Sequence, residues 1–195
     1  MPHLITLQQI RDKHPCADGW AKLLTTLGEN HAAPNLSRLV SIGDIARSNG
    51  AADALWCLRC ISDRRAVVRA VMPAVKRAAV RTTDHRVHDC IAAVEKWLAG
   101  DVRVDLIAAA EAAEAAEAAD AAWAAARAAA NAAAWAAEAA AWAWAAEAAA
   151  NAAAWAERAA AVEATAEARD TERARQAADL IELFPLHAFA TKEAA

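Results

Sequence analysis

The chain has no tyrosine and only two phenylalanines, five glycines and five prolines in 195 residues. A strand-rich fold needs turn residues between its strands, so this scarcity argues for helices throughout. All five glycines and four of the prolines lie at or before Gly100, leaving Pro185 as the single breaker of the second half. Nor is there a glycine-rich phosphate loop, a nucleophile elbow or a metalloprotease helix. Without a convergent His, Asp and Ser set, the sequence reads as a non-enzyme that requires no cofactor. Long apolar runs are missing too, because Arg127, Glu138, Glu147 and Glu157 break the alanine-rich stretch well short of the roughly 20 residues a bilayer needs. The opening Met-Pro-His-Leu-Ile-Thr has neither the basic region nor the apolar core of a secretory signal. A cytoplasmic protein with four cysteine thiols is therefore expected.

The net charge of −4 hides an asymmetry. Residues 1–100 carry 14 Lys/Arg against 9 Asp/Glu, whereas residues 101–195 carry 7 against 16. Composition thus suggests a small basic α-helical bundle over 1–100, an acidic alanine/tryptophan-rich helical segment over 101–184 and a tail over 185–195.

Within the first hundred residues, Leu7 to Asp12 forms a first turn or two before Pro15, and Ala17 to Leu27 a helix closed by Gly28. Ser37 to Ser48 follows, with Leu39, Val40, Ile42 and Ile45 as its apolar positions and Asn49-Gly50 as its stop. Ala51 to Ile61 is a compact apolar helix. Ser62 or Asp63 caps a further one to about Arg81, which Pro73 should kink or split. Thr83 or Asp84 caps a helix to Leu98, with Val87, Ile91, Val94, Trp97 and Leu98 as its buried stripe and Gly100 as its terminator. No strand is expected. The fold class is all-α, a small bundle followed by a long alanine-rich helix or a helical hairpin.

Between Ala108 and Ala161, 38 of 54 residues are alanine and five are tryptophan. Alanine favours helix strongly but buries little area, so such a helix forms readily and packs weakly. Asp101 is its expected cap, with Leu106 and Ile107 tucking the first turn onto the bundle. As one rod the segment would extend about 120 Å; as a hairpin it would turn at Asn131 or Asn151. The nonapeptide Ala-Ala-Ala-Asn-Ala-Ala-Ala-Trp-Ala occurs at 128–136 and again at 148–156, consistent with growth by duplication. At 100° per residue Trp135 and Trp142 share one side, and Trp123, Trp144 and Trp155 gather on nearly the opposite one. Indoles on both flanks demand a cover: the bundle, the folded-back tail, or another copy of the chain. These five tryptophans are the candidate partner-binding residues, for another protein or for self-association. The series Glu111, Glu114, Glu117 and Asp120 spirals around the helix and reads as a solvated face.

Cys57-Leu-Arg-Cys60 with His85, His88 and Cys90 has the arithmetic of a zinc site. The Cys57 pair, however, sits in an apolar helix rather than on a knuckle turn, so buried thiols are the plainer reading. Arg59 to Arg86 holds eight Lys/Arg and two Asp/Glu. Such a stretch can meet phosphates, and nucleic acid is the alternative partner it offers, but no nucleic-acid-binding motif accompanies it and the acidic second half would repel a polyanion.

Asp53-Ala-Leu-Trp-Cys-Leu-Arg59 and Arg86-Val-His-Asp-Cys-Ile-Ala-Ala-Val-Glu-Lys-Trp-Leu-Ala-Gly100, followed by the alanine/tryptophan helix, resemble alanine-rich proteins of bacteria and their phages. Some of these are similar to immunity proteins of bacterial toxin systems. That resemblance implies a helical, non-enzymatic protein that binds and neutralises another protein, and it supplies no site residues. The alanine helix also looks like the alanine-rich antifreeze proteins, which would make it a structural or ice-binding helix, but their regular threonines are missing. Thr165 and Thr171 are the only threonines in the long segment.

Overall fold

The computed structural model describes residues 3–80, 82–119, 131–137, 151–152, 154–155 and 166–187. The described residues are all-α apart from one two-stranded ribbon. Their contacts form two compact units, Met1–Ser62 with Arg173–Ala195, and Asp63–Glu172. Contacts therefore divide the chain at other points than composition does.

The first unit begins with β1 (Leu4–Thr6), α1 (Leu7–Asp12) and α2 (Ala17–Leu27). Thr6 starts α1 through a reciprocal capping box with Gln9, and Gly28 ends α2 in the left-handed region at φ 72°. The expected helix over Ser37 to Ser48 is half strand. Leu39–Ser41 is β2, antiparallel to β1 with Ile5 opposite Val40, and only at Ile42–Asn49 does α3 begin. The physical reason is the cap. Ser41 accepts from the Asp44 N–H while the Asp44 carboxylate accepts from the Ser41 N–H, so the backbone must be extended up to residue 41. Ile5 and Val40 then bury the inner face of the ribbon.

Gly50, at φ 97°, separates α3 from α4 (Ala51–Cys57), which closes in a 3₁₀ turn at Leu58–Cys60. The last helix among the described residues, α8 (Ala166–Leu183), gives this unit Leu180 and, just beyond it, Phe184, both fully buried. Phe184 meets the His3 ring edge-on at 5.9 Å. Arg38 donates to the Leu27 carbonyl at 2.8 Å and to Glu29 at 2.7 Å. Its hydrogen bond holds the Glu29 carboxyl below the usual carboxylate range.

The second unit contains α5 (Arg64–Ala79), α6 (His85–Leu98) and α7 (Leu106–Ala119). Asp63 and Asp84 cap α5 and α6, each accepting backbone N–H groups of the first turn. Pro73 does not split α5, which continues through it for 16 residues. Along α6 the side chains of Val87, Ile91, Val94 and Trp97 are buried, as the apolar stripe predicts, with Leu98 at the margin. Asp101 does not cap the alanine helix; it accepts from the backbone and side chain of Arg103 instead. Asp105 is the cap, accepting from Ala108 N at 2.9 Å. Of the two residues expected to tuck in, Leu106 is buried and Ile107 is half exposed.

Leu106 and Glu172 lie closer together than one straight helix would place them. Arg77 of α5 touches Glu172, yet a straight helix from Leu106 would place Glu172 about 100 Å away. The path from Arg77 to Leu106, with α6 helical and its flanks fully extended, spans about 70 Å at most. Asn131 and Asn151, the two positions weighed as a corner, are themselves helical, and residues 120–130 and 138–150 lie outside the described ones. The alanine segment is not coreless. Asn131, Ala132, Ala133, Ala134, Ala136 and Ala137 are all buried, and the Cys90 thiol donates to the Ala133 carbonyl at 3.4 Å. A helix apolar all round is stable when it is enclosed, and methyl side chains let its neighbours approach closely.

Candidate functional site

In the first unit, α2, α3 and α4 enclose a cleft of about 180 Å³. Asn49 fixes its geometry. The last residue of α3, it donates from Nδ2 to the Gly19 carbonyl of α2 at 2.8 Å and to Asp53 Oδ2 of α4 at 2.8 Å. One amide thus ties three helices together. Gly19 is small for a reason: a Cβ there would stand 2.8 Å from Asp53 Oδ2 and 3.0 Å from Cys16 Sγ. Cys16 caps α2, its sulfur accepting from Gly19 N at 3.4 Å.

The walls are aromatic and the floor aliphatic. Trp20 and Trp56, both half-buried, line the cleft above Ile10, Leu23 and Ile45. Asp53 is the one carboxylate among the lining residues, and no Lys or Arg lines it. At its edge Arg59 stacks over the Trp56 ring, the guanidinium carbon 4.3 Å from the ring centre. Cys57 contributes the end of α4 to the lining. Burial raises its thiol pKa far above the ordinary range, with the neighbouring Cys60 and Asp53 adding to the rise.

Of the described candidates from sequence, Cys57 alone lines the cleft. Trp135 and Trp155 are half-buried in the second unit, while Trp123, Trp142 and Trp144 lie outside the described residues. Cys57 ends α4 rather than opening it, and Cys60 follows in the 3₁₀ turn, its thiol 3.6 Å from the Gln9 carbonyl. Cys90 is buried, its pKa pushed up to about 12 by desolvation. His88 Nε2 lies 3.0 Å from the Thr82 carbonyl, and His85 projects from the surface. Among the described residues no three His, Cys, Asp or Glu side chains gather as a metal site.

The basic stretch is largely committed within the fold. Arg77 grips Glu172 through Nε and Nη2, Lys76 pairs with Glu95, and Arg86 pairs with Asp84 at 2.6 Å. Hydrogen bonding from Arg86 lowers the Asp84 pKa to about 2. Arg64 and Arg65 both lie over the Trp97 ring, 5.4 and 5.3 Å from its centre.

Sequence reasoning missed the cleft because its residues come from four helices, Ile10 from α1 and the others mostly from α2, α3 and α4. Two of the three tryptophans of the first hundred residues, Trp20 and Trp56, the latter three residues after an aspartate, were the available signal. Among the described residues no helix is long and apolar enough to cross a membrane. Comparison with protein-family models, curated proteins and solved structures gives no match.

Proposed function

We propose that the chain is a non-enzymatic protein-binding factor of the inhibitor or immunity type, and that the Trp20–Trp56 cleft is where it grips its partner. The observation that carries this reading is the pairing of two half-buried indoles around a small, shaped cavity. Tryptophan is the residue most enriched at binding hot spots because it offers a large rigid surface at little entropic cost. Size favours a side chain over a whole cofactor. Pockets for drug-sized ligands and cofactors occupy about 300–1,000 Å³, whereas a cavity of about 150 Å³ is enough for a benzene-sized group. Polyanion binding is less favoured, because ion pairs and ring contacts engage most of the cations between Arg59 and Arg86.

Selection of a displayed random-peptide library against the full chain tests the proposal, with depletion on a Trp56→Ala variant. Enrichment of peptides that the variant does not retain is the expected result. Recovery of the same peptides by both proteins, or no enrichment, contradicts it.

A further inference from the structure

We infer that the group entering the cleft is a basic side chain of the partner, its alkyl stem against Trp20 and Trp56 and its cation at Asp53; this rests on the protein-binding reading above. Charge is the first argument. The lining carries one carboxylate and no Lys or Arg; its other polar side chain is the neutral Asn49 amide, and Arg59 meets the site only through the Trp56 ring. Only Asp53 Oδ2 is engaged, by the neutral amide of Asn49, and that bond aims the carboxylate without neutralising it.

The chemistry of the walls favours the same ligand. An indole face attracts a cation through its quadrupole, and the chain itself shows such a contact at Trp56, over whose ring Arg59 stacks without itself lining the cleft. A lysine or arginine side chain matches such a site along its whole length, since its methylenes cover apolar surface while its head seeks charge. A carboxylate ligand would meet Asp53 with like charge, and a purely aliphatic one would leave that carboxylate desolvated without a counter-charge. The nearby Lys22 ammonium lies 3.4 Å from the Asn49 carbonyl and does not line the cleft.

The test uses small probes on the full-length protein. The indole N–H signals of Trp20 and Trp56 are followed by NMR during titration with n-butylammonium and n-propylguanidinium, and with n-butanol as the neutral match. Saturable shifts at both indoles are expected with each cation, with affinity about fivefold above that of butanol and a similar loss in Asp53→Asn. That variant keeps an oxygen to accept from Asn49. Should it fail to fold, the cation-to-butanol comparison on the native chain still decides. Equal affinity for butanol and the cations, unchanged cation affinity in Asp53→Asn, or shifts that bypass both indoles would overturn the inference. Equal affinities alongside Trp56-dependent peptide binding would overturn it alone, whereas cation binding without any selected peptide would overturn the protein-binding reading and, with it, a protein as the source of the cation.

Discussion

The buried Asp44 carboxylate accepts the backbone N–H of His187, its two oxygens 3.0 and 3.2 Å from that nitrogen, joining the start of α3 to the chain beyond α8. The same carboxylate accepts from Ser41 N at 2.8 Å, so one side chain both starts a helix and anchors a distant segment. Asp44→Ala leaves Ser41 as the cap but removes the carboxylate half of the capping box and strands the buried Ser41 N–H and the half-buried His187 N–H, and should cost about 3 kcal/mol in urea unfolding. Asp44→Asn, which keeps one acceptor oxygen, should cost clearly less. Equal losses would mean that the hydrogen bonds contribute little.

Next to it, Gly43 packs directly on the backbone of that segment. A Cβ at position 43 would lie 2.0 Å from the Phe184 carbonyl oxygen, and backbone cannot swing aside as a flexible side chain would. Gly43→Ala should therefore destabilise by about 2 kcal/mol even after its gain of about 1 kcal/mol in helix propensity. A stabilised Gly43→Ala protein would contradict this docking.

Thiol labelling should proceed in a fixed order. Cys16 is exposed, Cys60 is partly covered, and Cys57 and Cys90 are buried with raised pKa values. In the folded chain Cys16 should react first with a disulfide reagent at pH 8, and Cys57 and Cys90 only on unfolding. The sign for stability follows from Cys90, which ionises near pH 8.5 when unfolded but near 12 when folded. Its contribution is complete below pH 8.5 and is lost as pH rises towards 12, because the unfolded thiol releases its proton first. Cys90→Ala should flatten that alkaline decline. An unchanged pH profile in the variant would assign the decline to other groups.

Arg77 and Glu172 form the ion pair that places Glu172 closer to Leu106 than one straight helix would. The Glu172 side chain is 6% exposed and that of Arg77 27%, so removing the arginine leaves a desolvated carboxylate. Arg77→Met should cost about 3 kcal/mol, and the double change Arg77→Met with Glu172→Met distinctly less than the sum of the single changes. Strict additivity would indicate that the two side chains do not meet in solution.

Local signals were readable wherever one residue decides one feature. Ala17–Leu27 with Gly28, the aspartate caps Asp63 and Asp84, and the buried stripe of α6 all follow from short-range chemistry. The ribbon of Leu4–Thr6 with Leu39–Ser41 was hidden because three-residue strands carry no periodicity, and Leu39, Ile42 and Ile45 fall at helical spacing. Ser41-x-x-Asp44 was the overlooked signal, a capping box that forces an extended backbone before it. Alanine misled in the other direction, since a low buried area per residue suggested weak packing where 131–137 is enclosed. The cleft depends on Asn49 bridging Gly19 and Asp53, a long-range contact that no local pattern in the chain encodes.

The central claim, that the Trp20–Trp56 cleft is a protein-binding site, is tested most directly by calorimetric titration of a selected peptide into the native chain and into a Trp56→Ala variant with unchanged circular dichroism. Affinity at least about 30-fold weaker in the variant is expected, the loss of a hot-spot tryptophan. Equal affinity for the two proteins would contradict it.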